Sequence, residues 1–210
     1  MTDRYHIPLM PEKTYHLFNR AAGSEKLFKS HDNYFYFLKK YAEHISIICD
    51  TWSYCLLPNH FHLLIRIKSF ESIIDQYKLL KHKEVRKNDN LLLSDFIMER
   101  FSNWLNGYTK AFNKSYQRKG SLFIDYTKRS LVETDNSFTK VIHYVHANPV
   151  HHGYVEKTDQ WNYSSYASII SHGKTRLLRD EILEWFGGRE QFIQFHQQPI
   201  YRKLADEFEL

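Results

Sequence analysis

In LPNHFHLLI, residues 56–64, two histidines are separated by one residue. In a strand, successive side chains alternate faces, so His60 and His62 would project together with Cα atoms about 7 Å apart, and Phe61 would go to the other face. Two imidazoles on one sheet face can converge on a divalent cation. The apolar flanks suggest a central strand, a rigid place for such a pair. The chain holds 13 histidines, so one His-x-His run also fits two sheet histidines satisfied by hydrogen bonds. A second cluster, HYVHANPV at residues 143–150, shifts the balance. Tyr144 and Asn148 are four residues apart, share a face if helical, and offer a hydroxyl nucleophile and a neutral amide oxygen in one direction. The plainer readings are a half-buried core ring for Tyr144 and a helix C-cap for Asn148 ahead of Pro149.

The elements that would position these groups can be read from periodicity. TYHLFNR, residues 14–20, alternates like a strand. Ser30 or Asp32 can cap a helix carrying Tyr34, Phe37, Leu38, Tyr41 and Ile45. Trp52–Leu57 and His60–Ile67, split by Pro58-Asn59, form a hairpin signal. Phe70 to about Lys81 reads as helix, and the polar KHKEVRKNDN after it as a mobile loop whose charge could lie near nucleic acid. Ser94 opens the longest helical stripe (Ile97, Phe101, Trp104, Leu105, Tyr108, Phe112), with Gly120 as its end. Leu122–Val132 reads as a fourth strand. Asp135 or Asn136 caps a helix that Pro149 stops. Beyond Trp161 the chain turns irregular, then shows two short helical patterns from Arg179 onward. Strand, helix, hairpin, helix, strand is the order of a split β-α-β sandwich. The expected fold is α+β: an antiparallel sheet with helices packed on one face and the Tyr144 helix over the sheet. A main domain over residues 1–170 and a helical extension over 171–210 is the simplest division.

Composition narrows the function classes. Hydrophobic residues at 42% and charged ones at 25% describe a globular chain, not a disordered one. No apolar run reaches the roughly 20 residues of a membrane span, and the first residues lack a secretory pattern. Cys49 and Cys55, the only cysteines, form neither a disulfide framework nor a zinc array. A reducing cytoplasm is the expected location. Seven glycines make no phosphate-binding loop or dinucleotide fingerprint, so no nucleotide cofactor is expected. The net charge is +5, a mild bias toward a polyanion. Its placement says more. Lys110, Lys114, Arg118, Lys119, Lys128 and Arg129 alternate with Tyr108, Phe112, Tyr116, Phe123 and Tyr126 against the single acid Asp125. Cations for phosphates and rings for bases suit a single-strand binder, although rings on an apolar stripe also suit a core.

Taken together, these motifs resemble the REP-associated tyrosine transposases, within the HUH superfamily of single-strand nucleases and transposases. The resemblance runs from about Tyr15 to Tyr166. It rests on FNR (residues 18–20), LPNHFHLL, a basic helix leading into KGSLF (119–123), YVHANPVHHGYV (144–155) and WNYSSY (161–166), in that order. The long loop from Lys81 to Leu93 and the tail after about Ser171 lie outside the pattern.

The resemblance implies His60 and His62 as metal ligands, Asn148 as a polar third ligand, and Tyr144 as nucleophile. It implies Mg²⁺ or Mn²⁺ as cofactor and a 5′-phosphotyrosine intermediate. The DNA would be single-stranded and hairpin-bearing, cleaved and rejoined by a monomer or a homodimer. With a reference phenol pKa of about 10, Tyr144 needs a base or a cation to become a good nucleophile. The six basic residues are candidate phosphate contacts, with Asn19 and Arg20 near the recognised base or hairpin. Two rivals remain: a catalytically silent, domesticated hairpin binder, and a hydrolase in which the histidine pair activates water.

Overall fold

The computed structural model describes residues 7–85, 89–124 and 127–199. Asp125 and Tyr126, part of the loop after Lys81, and the last part of the C-terminal helical pattern lie outside the described residues. The architecture is α+β. Strands β1 (Thr14–Arg20), β2 (Cys49–Leu57), β3 (His60–Ile67) and β4 (Lys128–Leu131) form an antiparallel sheet in the order β2-β3-β1-β4. Seven α-helices stand among the described residues: α1 (His31–His44), α2 (Phe70–Lys81), α3 (Asn90–Ser115), α4 (Asp135–His151), α5 (Tyr166–Ile170), α6 (Arg179–Trp185) and α7 (Arg189–His196).

The helices cover both faces of the sheet, where packing on one face was expected. Leu17, Phe61, Leu63 and Ile65 meet α1 and α3 through Phe37, Tyr41, Ile97, Phe101 and Trp104. Phe18, Cys55, Leu57 and Leu64 meet α4, α5, α6 and α7 through Val141, Ile142, Val145, Ile169, Ile182 and Phe192. The physical reason is visible in β3, where all residues but Arg66 are buried. A strand apolar on alternate residues of both parities needs two covers. Helices α6 and α7, in the tail, therefore close the same apolar layer as α4.

Several boundaries differ from the sequence reading. Helix α3 starts earlier, capped by Asp89 through the Leu92 amide, and ends at Ser115, ahead of Gly120. The fourth strand shrinks to four residues, with Phe123 reduced to an isolated bridge to Ala21. Thr134, one residue earlier than expected, caps α4 with the Ser137 amide. Pro149 does not stop that helix, which continues to His151. Pro149 gives up its N–H bond and crowds the carbonyl four residues back, but its fixed φ is helical and the helix ends two residues later, so both penalties fall in the last turn. The stretch after Trp161 runs along the outer edge of β2: Leu56 N–H donates to Tyr163 O at 2.9 Å and Ser165 N–H to Tyr54 O at 2.9 Å. That covers an edge otherwise open to pairing with other chains.

Candidate functional site

The β1–β3 register sets Phe18 opposite His62 and Arg20 opposite His60. His60 and His62 lie on the sheet face under α4, as the alternation requires, with ring centroids 5.2 Å apart and planes at 89°. Helix α4 brings Tyr144 and Asn148 down onto them. The Tyr144 ring stands edge-on to His62 at 5.4 Å between centroids, and Asn148 Oδ1 lies 3.1 Å from His60 Nε2. The four residues expected to carry chemistry are thus one cluster drawn from two elements far apart in sequence. All are buried: His60 is 8% exposed, His62 1%, Tyr144 1% and Asn148 0%. The exposed neighbour is His152 at the C-cap of α4, whose ring sits 4.8 Å from that of His60.

The donor set suits a small divalent cation. His60 Nδ1 faces Asn59 Oδ1 at 2.8 Å, and its Nε2 faces Asn148 Oδ1. A neutral imidazole has one proton, so it can donate to only one of these amide oxygens, leaving a lone pair aimed at the other. A cation between the lone pair and the amide oxygen would fit that convergence. Adjacent ligands of an octahedral ion with bonds of about 2.1 Å lie about 3.0 Å apart, matching the 3.1 Å between Nε2 and Oδ1. Burial, and then the nearby His16, His60 and His152, hold the His62 pKa well below its ordinary value, so the ring is neutral and keeps a lone pair. Asn148 Nδ2 is buried without a hydrogen-bond partner among the described residues, a donor that a phosphate oxygen could use. No group of three His, Cys, Asp or Glu side chains among the described residues is placed to hold a metal. The polar side-chain atom beside His60 Nε2 is instead the neutral amide oxygen of Asn148.

Two features escaped sequence reasoning. His16 on β1 lies beside His62, Nε2 to Nδ1 at 3.0 Å, with ring centroids 5.1 Å apart and planes at 9°. Alternation placed His16 and Phe18 on one face of β1; the register bringing that face to His62 is not written in β1 itself. The second is a chain behind α4. His196 Nδ1 donates to Phe192 O at 2.8 Å, which turns its Nε2 into the acceptor for His146 Nδ1 at 2.9 Å. His146 Nε2 then accepts from Ser165 Oγ at 2.7 Å. This chain ties α7 to α4. A cleft of about 490 Å³ beside it is lined by His143, Tyr166 and His196 but by none of the four clustered residues.

The candidate DNA contacts are not presented alike. Lys110, Lys114 and Lys119 are exposed. Arg118 is spent within the fold, bonding Glu25 at 3.2 Å, Asn113 Oδ1 at 3.0 Å and Ser121 O at 2.6 Å. Arg129 is buried and donates to Ile7 O. Lys128 is half-buried and Arg20 exposed. Asn19 is buried, donating to Thr127 Oγ1 at 3.2 Å and accepting from the Arg20 amide at 2.7 Å. Asn19, Lys110, Thr127 and Arg129 all border a groove of about 780 Å³ between α3 and the β1–β4 side of the sheet. The rings named beside them, Tyr108, Phe112 and Phe123, are core residues. Among the described residues no helix is long and apolar enough to cross a membrane.

A four-stranded antiparallel sheet with a buried histidine pair under a tyrosine-bearing helix is the arrangement that the sequence motifs anticipated. No known family profile matches the chain. A curated protein of Haemophilus influenzae named "Putative REP-associated tyrosine transposase" is 27% identical over 131 residues, which is 61% of this chain and 64% of that protein. The match thus spans less than two thirds of that relative. The fold is that of a solved structure of a REP-associated tyrosine transposase bound to a REP hairpin, with a TM-score of 0.57 at 12% identity over 82% of this chain and 87% of that one. The resemblance of this chain to the REP-associated tyrosine transposases is borne out by both comparisons.

Proposed function

We propose that this protein is a metal-dependent endonuclease and transesterase of single-stranded DNA, acting in the cytoplasm at hairpin-associated sites through Tyr144. The observation that carries this reading is the convergence of His60 Nε2 and Asn148 Oδ1 beside His62 and Tyr144. His60, His62 and Asn148 would hold Mg²⁺ or Mn²⁺, which when bound polarises the scissile phosphate and offsets charge in the transition state. The Tyr144 oxygen forms a bond to phosphorus as the bond from phosphorus to the 3′ oxygen breaks, and the proton given up by the phenol is balanced by one taken up by the leaving 3′ oxygen. That oxygen leaves as a 3′-hydroxyl, and the 5′-phosphate stays on Tyr144. A returning 3′-hydroxyl reverses the step, so one phosphoester replaces another and no nucleotide is consumed. Exposed Lys110, Lys114 and Lys119 neutralise phosphates near the groove below α3. Because the cluster is buried, DNA has to uncover it, and His152 is the side chain at its solvent edge.

A hairpin-binding protein that does not cut is the second reading, and the burial of Tyr144 is the observation in its favour. A labelled hairpin with single-stranded flanks, incubated with Mn²⁺ or with EDTA, separates the two. Strand cleavage with Mn²⁺ that EDTA abolishes is the expected result. Binding without cleavage under either condition supports the second reading.

A further inference from the structure

We infer that His16 is a positioning residue for His62, accepting the His62 Nδ1 proton so that Nε2 is left bare for the metal; the inference rests on the function proposed above. The geometry is direct. His16 Nε2 meets His62 Nδ1 at 3.0 Å between two buried rings that lie edge to edge with planes 9° apart. His16 therefore approaches His62 from the ring nitrogen other than the one available to a ligand. Two neutral imidazoles sharing one hydrogen bond have one proton in it. If His16 donated, the remaining His62 proton would sit on Nε2 and block the metal. If His62 donates, Nε2 carries the lone pair and His16 keeps its own proton on Nδ1.

The neighbouring ligand shows the same device with different chemistry. Asn59 Oδ1 faces His60 Nδ1 at 2.8 Å and can only accept, so with a cation on Nε2 the one proton of the His60 ring sits on Nδ1 and bonds Asn59. Each histidine of the pair thus has a partner on Nδ1, which leaves Nε2 as the ring nitrogen for a ligand. A partner of this kind orients the ligand ring and raises its basicity. β1 supplies His16 because its register with β3 sets Phe18 opposite His62 and so puts His16 diagonal to it on the same face.

The test is Mn²⁺ calorimetry on the full chain, comparing wild type with His16→Phe, which keeps a ring at that place but cannot accept, and His16→Gln, whose amide oxygen can. Metal affinity should fall about ten- to a hundredfold in His16→Phe and stay within about threefold in His16→Gln. Urea midpoints check that each variant folds; should the Phe variant not fold, His16→Ser, too short to reach His62, replaces it with the same expected loss. Unchanged affinity in the Phe or Ser variant overturns the role of His16, as does an equal loss in His16→Gln. X-ray absorption that counts three imidazoles on Mn²⁺ in the wild type and two in His16→Phe would also overturn it, by making His16 a ligand. A wild-type chain that binds no Mn²⁺ removes the metal reading as a whole, an outcome distinct from these.

Discussion

Asn148 Oδ1 stands 3.1 Å from His60 Nε2, across the seam between the last turns of α4 and the start of β3. The contact gives the site its sharpest demand, since His60 already faces a second amide oxygen on Nδ1. Asn148→Asp adds a charge at that point and should tighten Mn²⁺ binding, whereas Asn148→Leu should weaken it at least tenfold. Calorimetry on the two variants checks this; equal affinities would place the cation elsewhere.

Replacing both His60 and His62 by Ala should abolish measurable Mn²⁺ binding and cleavage while the chain stays folded. Loss of the His16–His62 bond and of two buried rings should lower stability by about 1–3 kcal/mol. Circular dichroism and calorimetry together decide, and persistent Mn²⁺ binding in the double variant would refute the ligand assignment.

For DNA affinity, the exposed lysines and the engaged arginines should behave differently. Lys110→Glu combined with Lys114→Glu should weaken hairpin binding and flatten the plot of log K against log salt by about 0.7 per lost phosphate contact on single strands. Arg118→Ala should instead destabilise the loop it holds to Asn113 and Ser121, lowering the urea midpoint. A salt slope unchanged in the double lysine variant would show that this face is only solvated.

Much of this arrangement is legible in the chain's local patterns. The alternation of β1 and β3, the hairpin at Pro58-Asn59 and the spacing of Tyr144 and Asn148 are local, and local periodicity survives folding. What does not show is long-range: the register that sets His16 beside His62, and the pairing of residues 163–165 with β2. What covers the second sheet face is also hidden, because the apolar run of β3 calls for cover on both faces without saying which distant helices supply it. Arg118 and Arg129 meet the same limit. A basic residue in sequence does not reveal whether its guanidinium meets solvent or a carbonyl.

The tail helix α7 should contribute to stability through Phe192, which is buried against Tyr166 and His196 at 5.7 and 4.1 Å between centroids. Phe192→Ala should cost about 3–5 kcal/mol. Urea unfolding measures it, and a loss under about 1 kcal/mol would mean that α7 is only loosely held.

His196 makes the same tie pH-dependent. Burial, opposed by its bond to Phe192 O and reinforced by His143, lowers its pKa to about 3 from 6.5. The unfolded chain takes up this proton first as pH falls, so the stabilisation is fully present above pH 6.5 and is lost progressively toward pH 3. The decline should approach about 1.4 kcal/mol per pH unit from this group. Urea midpoints between about pH 7.5 and 5 should drop in the wild type and drop less in His196→Phe; parallel curves would show that His196 titrates normally.

Tyr144, and no other tyrosine, should become joined to DNA; on this the proposed function stands. Tyr108, among the basic residues, is buried in the α1–α3 core with its hydroxyl donating to Leu27 O, and Tyr116 bonds Asn33 at the surface. Neither lies at the histidine pair. Tyr144→Phe removes one oxygen and should leave folding, Mn²⁺ binding and hairpin binding intact. Wild type and variant are incubated with labelled single-stranded hairpin DNA and Mn²⁺, run on a denaturing gel, and any shifted band is digested for mass spectrometry. The expected result is an adduct in the wild type, mapped to Tyr144 and absent from the Phe variant. An adduct that survives in Tyr144→Phe, or that maps to another residue, would contradict the assignment of Tyr144 as nucleophile.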